Sequence, residues 1–167
     1  MQNKNKTITI AVMAIYAALY AVLVNVFPGL SFGPLQFRVA DILIAVVPLL
    51  GIPGVLGHTL GVIIGNMSSP YIPIDLLNAI PSFIMAFIVY YIYKRTKKDI
   101  TVIGTCITYS IVLGITVGWM ISFIEGLPLI GTIAYVALSN TIASVLIGWP
   151  VFKCLKKIGI FKKWFGE

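Results

Sequence analysis

Residues 39–66, VADILIAVVPLLGIPGVLGHTLGVIIGN, decide how this chain folds. The segment is almost wholly apolar, but PLLGIPG at residues 48–54 interrupts it with two prolines and two glycines. A helix that crosses a membrane needs about 20 consecutive apolar residues, and proline and glycine mark turns between shorter elements. We therefore predict two short apolar helices joined by a tight turn, rather than one long helix.

The composition of the whole chain indicates an integral membrane protein. Hydrophobic residues make up 59% of its 167 positions, and the mean hydropathy is +1.02, so too few polar side chains are present to cover a water-soluble surface. We predict an all-α integral membrane protein that forms a single membrane domain over residues 1–167. Six transmembrane helices are expected at about 8–27, 40–50, 53–67, 75–93, 100–124 and 130–152.

The basic residues predict how these spans are oriented. Eleven of the twelve lie at the N-terminus, in the 94–98 loop or in the tail that begins at Lys153. An even number of crossings separates these clusters, and positive charge collects on the cytoplasmic side. Both termini are thus expected in the cytoplasm, and the protein in a prokaryotic plasma membrane as a multi-pass protein. Membrane insertion and anionic lipid account for the charge, so no nucleic-acid partner is expected.

Several polar residues lie outside these basic clusters, toward the external ends of the predicted spans. An ionised side chain inside a bilayer costs about 2.5–3.5 kcal/mol on insertion scales and usually faces a cavity or a partner. For Glu125 we prefer the simpler interpretation of a solvated loop residue. We expect Asp41 to hold the Arg38 side chain at the external end of the second helix; as an alternative, these two residues merely pair at the membrane interface. We predict a substrate-binding site formed by Gln36, Arg38, Asp41, Asn66, Asp75, Asn78 and Asn140.

Other patterns indicate packing rather than chemistry. Gly57, Gly61 and Gly65 recur every four residues, which allows another helix to approach closely. His58, the only histidine, has no second metal ligand at helical spacing and is interpreted as a hydrogen-bonded structural residue. The sequence has no phosphate-binding loop and no hydrolase or metalloprotease motif. We expect no enzymatic activity, no metal and no cofactor.

Three blocks resemble one transporter family. They are SFGPLQFRVAD at residues 31–41, VVPLLGIPGVLG at 46–57 and GNMSSPYIPIDLLNAIPS at 65–82. Together they resemble the queuosine-precursor transporters, which are substrate-binding S components of energy-coupling-factor (ECF) importers, and the resemblance extends to LIGWPVF at 146–152. Gln36 and Arg38 match the family's second helix, where Asp41 replaces the more usual glutamate. Asn66 and Asp75 match the residues that flank a Ser-Pro turn.

The resemblance implies a function and a set of partners. Such a protein captures a small planar heterocycle, a queuosine precursor or related 7-deazaguanine, from outside the cell. It assembles with a transmembrane coupling subunit and two cytoplasmic ATPases, and alanines spaced like Ala14 and Ala18 form the docking face. This chain has Ser139 and Asn140 where the family often has a Gly-Glu pair. A different vitamin-like solute therefore remains an alternative. A stand-alone secondary carrier, which would use the same polar residues, is another.

Overall fold

The fold is all-α, as predicted. A computed structural model describes residues 2–33 and 36–159, with side chains from Lys6 onward, and this part of the chain contains helices and turns but no β-strand. Pro34 and Leu35, within the first family block, lie outside the described residues. The same holds for Lys162 and Lys163 of the predicted basic tail.

Eleven helical segments follow one another along the described chain. Their order and bounds are α1 (Gln2–Val26), α2 (Pro28–Ser31), a 3₁₀ helix (Val39–Val46), α3 (Val47–Leu50), α4 (Ile52–Asn66), α5 (Ile74–Leu77), α6 (Ala79–Thr96), α7 (Ile100–Glu125), α8 (Leu129–Thr141), a π-helical segment (Ile142–Ile147) and α9 (Gly148–Ile158). Four stretches are long and apolar enough to cross a membrane, namely Lys6–Val26, Ile74–Thr96, Ile100–Glu125 and Leu129–Ile158. Val39–Leu50 and Ile52–Asn66 are shorter apolar helices.

The break at PLLGIPG centres on Gly51, between α3 and α4. Gly51 has φ +68°, a left-handed conformation that costs glycine little because it has no Cβ. Pro53 sits in the first turn of α4, where its missing N–H leaves no intrahelical hydrogen bond unmade. Glycine at the turn and proline in the next helix thus divide residues 39–66 into two elements.

The small residues of α4 allow it to pack directly on α1. A Cβ placed on Gly61 would lie only 2.6 Å from the Cβ of Tyr20, and one on Gly57 would lie 2.9 Å from the Met13 carbonyl oxygen. Gly65 lies similarly against Val24. Because a side chain at these positions would push the helices apart, the three glycines serve internal packing, and that interpretation is confirmed.

The distribution of polar and apolar side chains suits a lipid environment. Large apolar residues on the outer faces of the long helices are exposed, including Ile15 at 67% and Phe123 at 75%. Asp41, His58 and Asp75, by contrast, are fully buried. Exposed apolar patches of this extent favour contact with lipid or another protein, and the polar residues face the interior of the bundle.

Candidate ligand-binding site

The site begins at Arg38, directly before the 3₁₀ helix. Its backbone is extended, with φ −84° and ψ 92°, and its side chain is 2% exposed. The guanidinium Nη2 lies 3.8 Å from Asp75 Oδ1, and Asp75 is fully buried. The structure thus joins two predicted site residues that are far apart in sequence.

Asp75 is held by two asparagines that flank it in sequence. The side-chain amide of Asn66, the last residue of α4, donates to the backbone carbonyl oxygen of Asp75 at 3.0 Å. The amide of Asn78 donates to Asp75 Oδ1 at 2.9 Å. Asn78 stands at the short break between α5 and α6. The three predicted residues therefore form one cluster around the turn that precedes α6.

Asp41 has partners that the sequence analysis did not include. The hydroxyl groups of Tyr20 and Tyr109 both donate to Asp41 Oδ1, at 2.8 Å and 3.0 Å. We expected Asp41 to pair locally with Arg38, but the ion pair formed by the Arg38 guanidinium is with Asp75. Asp41 is held instead by tyrosines from α1 and α7, which makes it a contact point between three parts of the bundle.

His58 extends this cluster as part of a hydrogen-bonded chain. Tyr16 Oη lies 3.1 Å from His58 Nδ1, and Tyr109 Oη lies 3.3 Å from His58 Nε2. Tyr109 has one hydroxyl proton, and donating it to Asp41 leaves the Tyr109 oxygen to accept from His58 Nε2–H. The hydrogen-bond pattern therefore places a proton on His58 Nε2, which in a neutral His58 is the Nε2–H tautomer. His58 is hydrogen-bonded and buried, as predicted, and it contacts a tyrosine that holds Asp41.

Gln36 contacts Ser139, the residue next to Asn140. Ser139 Oγ on α8 donates to the backbone carbonyl oxygen of Gln36 at 2.6 Å, and both Gln36 and Asn140 are buried. The π-helical segment begins two residues after Asn140 and packs on the 3₁₀ helix that contains Asp41. Such departures from regular α-helix occur frequently at functional sites.

Seven polar atoms of the predicted site are buried without a hydrogen-bond partner. A native protein leaves few buried polar groups unpaired, because each costs roughly 1–3 kcal/mol. Six of the seven predicted residues contribute such an atom, which is the pattern expected of a site that binds a polar ligand. The atoms are Gln36 Nε2, Arg38 Nε, Arg38 Nη2, Asp41 Oδ2, Asn66 Oδ1, Asp75 Oδ2 and Asn140 Oδ1.

A further acidic residue lies beside this cluster, at its exposed edge. Tyr71, in the turn before α5, donates its hydroxyl to Glu125 Oε1 at 3.0 Å. Partial burial and then this hydrogen bond raise the pKa of Tyr71 above its ordinary value. Glu125 is exposed, in agreement with its interpretation as a solvated residue at the end of α7.

The opposite end of the bundle carries basic residues. Lys153 Nζ donates to Asp99 Oδ2 at 2.9 Å, and Lys156 donates to Asp99 Oδ1. Burial tends to raise the pKa of Asp99, but the hydrogen bonds from the two lysines outweigh it and lower the pKa. A groove of about 470 Å³ lies beside these residues. Its exposed, mutually paired charges contrast with the buried, unpaired atoms of the ligand site.

The predicted docking residues lie on a separate surface. Ala14 and Ala18 are exposed on α1, whereas Ala17 and Ala21 are buried on its other side. Exposure of the first pair leaves room for another helix to approach closely.

Sequence reasoning missed three residues of the polar cluster, Tyr16, Tyr20 and Tyr109, and noted Ser139 only as a departure from the family pattern. Each lies within an apolar stretch, where aromatic and small residues are common and packing is the ordinary interpretation. A signal was nevertheless present, because a tyrosine hydroxyl buried in a membrane helix needs a polar partner.

The chain matches a known protein family. No curated protein and no solved structure matches the chain. Residues 10–157 match the family described as QueT transporter, and this range includes every predicted ligand-binding and docking residue. The match confirms the resemblance seen in the sequence blocks, and with the apolar helices it indicates a multi-pass membrane transporter: the chain belongs to the QueT transporter family.

Proposed function

We propose that this protein is the S component of an ECF importer and captures a queuosine precursor or a related 7-deazaguanine from outside the cell. The observation that carries the proposal is the group of seven unpaired polar atoms from residues far apart in sequence. All seven atoms are buried, so a small solute bound to them would be enclosed by protein.

The unpaired atoms favour a ligand rich in hydrogen-bond donors. Four of them are acceptors, on the two carboxylates and on the amides of Asn66 and Asn140, and three are donors, on Gln36 and Arg38. The edge of a 7-deazaguanine offers ring N–H and amino donors beside a carbonyl acceptor. Such a base can therefore satisfy groups that an apolar solute would leave unpaired.

The proposed orientation and partners follow from the two ends of the bundle. With six spans, the basic end would face the cytoplasm and the ligand site would face outward. The sequence has no phosphate-binding loop, so ATP-driven uptake would need ATPase partners reached through a coupling subunit. The exposed Ala14 and Ala18 supply a surface on which that subunit can pack closely.

The direct test is calorimetric titration of the purified protein with queuine, 7-deazaguanine precursors and unrelated vitamins. Asp75→Asn replaces an acceptor oxygen by an amide donor beside Arg38, so binding should weaken roughly ten- to hundred-fold. Asp99→Asn, at the basic end, is the matched control and should bind normally. If Asp75→Asn and Arg38→Ala both bind as tightly as wild type, the site is misplaced.

Reconstituted vesicles separate the proposed importer from a stand-alone carrier. Uptake should require the coupling subunit, both ATPases and ATP. Uptake by the purified chain alone, driven by an ion or solute gradient, would contradict the S-component role while leaving the ligand site intact. Tight binding of an unrelated vitamin with no binding of 7-deazaguanines would instead change the proposed solute.

A further inference from the structure

We propose that the groove at the basic end of the bundle binds the phosphate headgroup of an anionic membrane lipid. The groove, of about 470 Å³, is lined by Asp99, directly before α7, and by Lys153, Cys154, Lys156 and Lys157 of α9. None of these residues belongs to the ligand site. The proposal therefore depends on neither the solute nor the importer role proposed above.

The charge of the groove favours an anion. Three lysines and one aspartate line it, which gives a net charge of +2. Lys153 Nζ donates to Asp99 Oδ2 at 2.9 Å and Lys156 donates to Asp99 Oδ1, so the aspartate neutralises one positive charge and holds two ammonium groups close together. Each ammonium group has three N–H donors. Donors therefore remain on both lysines after Asp99 has accepted, and phosphate oxygens are strong acceptors for them.

The number of lysines exceeds what a contact between α7 and α9 requires. One lysine is enough to neutralise one carboxylate, yet the groove has three, and Lys157 is exposed. Orientation in a membrane requires basic residues on one side of it, but not their convergence on one groove. Because like charges held close together repel each other, the excess positive charge is the feature that an anionic ligand would stabilise.

The position of the groove along the helices matches the headgroup layer of a membrane. The stretch Leu129–Ile158 ends beside it and the stretch Ile100–Glu125 begins beside it, and both are long and apolar enough to cross a bilayer. Basic side chains at this end lie over aromatic rings, and tyrosine and tryptophan collect where a membrane meets water. The pairs, with the distance from cation to ring centroid, are Lys94–Tyr90 at 5.5 Å, Arg95–Tyr91 at 5.2 Å, Lys153–Trp149 at 5.1 Å and Lys156–Tyr93 at 5.7 Å.

Exposed apolar side chains beside the charged residues favour a lipid over a soluble phosphate. Ile100, which follows Asp99, is 66% exposed, and Ile158, which follows Lys157, is 61% exposed. A soluble anion would leave these side chains uncovered, whereas the acyl chains of a phospholipid can pack against them. Positive charge and exposed apolar surface in one place match a molecule that has both a phosphate and acyl chains.

The test titrates the purified full-length protein in detergent with phosphatidylglycerol, and native mass spectrometry counts the lipids bound. Phosphatidylcholine, whose headgroup is zwitterionic, is the reference lipid. One phosphatidylglycerol should bind per protein roughly ten- to hundred-fold more tightly than phosphatidylcholine, because each lysine near an anionic headgroup contributes about five-fold in affinity.

Two triple variants remove the same charge from the same end of the bundle. In the groove variant, the preference for phosphatidylglycerol should fall to within a few-fold. The control variant changes lysines outside the groove and should retain the preference. The substitutions are Lys153→Gln, Lys156→Gln and Lys157→Gln in the groove variant, and Lys94→Gln, Lys97→Gln and Lys98→Gln in the control.

Asp99→Asn separates a lipid site from a purely structural contact. It keeps every lysine and removes the negative charge, so phosphatidylglycerol should bind several-fold more tightly than to wild type. A contact that only ties α7 to α9 would lose stability in this variant without any gain in lipid affinity, and that result would contradict the proposal. This comparison decides even if the groove variant does not fold.

Equal affinity of the wild-type protein for the two lipids would overturn the proposal, as would an equal loss in both triple variants, which would indicate diffuse surface charge. Displacement of the lipid by inorganic phosphate at a matching concentration would overturn it in favour of a soluble phosphate. Unchanged lipid binding in the groove variant, with loss of co-purification with the coupling subunit, would overturn it in favour of a protein partner. None of these outcomes bears on solute titration, so each leaves the proposed ligand site in place.

Discussion

Removing the hydroxyl group of Tyr109 tests the hydrogen-bonded chain that holds Asp41. Tyr109→Phe keeps the ring, which packs edge-on against His58, and deletes an atom that serves two neighbours. That oxygen donates to Asp41 Oδ1 at 3.0 Å and lies 3.3 Å from His58 Nε2. Tyr20→Phe is the matched comparison, because Tyr20 donates to the same carboxylate oxygen at 2.8 Å and also packs edge-on against His58.

The two variants should destabilise the protein by different amounts. Hydrogen bonds between membrane helices contribute on average about 0.6 kcal/mol and up to about 1.7 kcal/mol, and a buried carboxylate acceptor justifies the upper figure. Tyr20→Phe should therefore cost about 1.7 kcal/mol. Tyr109→Phe loses a similar bond and also leaves the His58 N–H unpaired, at about 1–3 kcal/mol, for a total of roughly 3–5 kcal/mol.

The assay is reversible unfolding of the detergent-purified protein in increasing dodecyl sulfate, followed by circular dichroism. Tyr135→Phe is the control, because Tyr135 is 40% exposed, and it should match wild type. Combining Tyr20→Phe with Tyr109→Phe should be non-additive, since both hydroxyls share one acceptor atom. If Tyr109→Phe costs no more than Tyr20→Phe, His58 does not donate to Tyr109 and the assigned tautomer is wrong.

Three other predictions concern orientation, assembly and specificity. Cysteine introduced at Lys97 should react with impermeant reagents only from the cytoplasm and cysteine at Glu125 only from outside, and external labelling of position 97 would contradict the six-span arrangement. Trp at both Ala14 and Ala18 should abolish co-purification with the coupling subunit but leave ligand titration unchanged, because the bulk falls on an exposed face. If the double variant assembles normally, the face with Ala14 and Ala18 contacts lipid rather than the coupling subunit. Asn140→Glu restores the carboxylate usual in the family and should shift calorimetric preference toward 7-deazaguanines; an unchanged ligand ranking would place Asn140 away from the ligand.

Much of the site could be predicted because polar residues are rare in this chain. In a sequence with only 10% charged residues, each acid or base within an apolar stretch is conspicuous, and the cost of burying it requires a reason. This argument identified Asp41 and Asp75, both fully buried. It could not identify Tyr20 or Tyr109, because a tyrosine buries most of its surface like any apolar residue, and sequence does not show where its hydroxyl points.

The pairing of Arg38 shows where local geometry misleads. Arg38 and Asp41 are three residues apart, and on an α-helix that spacing places two side chains on one face, so a local ion pair was the natural expectation. The rule requires both residues to be helical. Arg38 instead has an extended backbone directly before a 3₁₀ helix, and its side chain reaches Asp75, in a distant part of the sequence.

The pairing of Arg38 with Asp75 also decides which carboxylate oxygens are free. Asp41 accepts hydrogen bonds from two tyrosines instead of from Arg38, and one oxygen of each carboxylate stays unpaired. A local pair between Arg38 and Asp41 would instead have left Asp75 without a guanidinium partner. The charges would be the same, but different carboxylate oxygens would be free to accept hydrogen bonds. That two acids are buried beside one guanidinium could therefore be predicted from the rarity of charged residues, whereas the positions of the free carboxylate oxygens follow only from the fold.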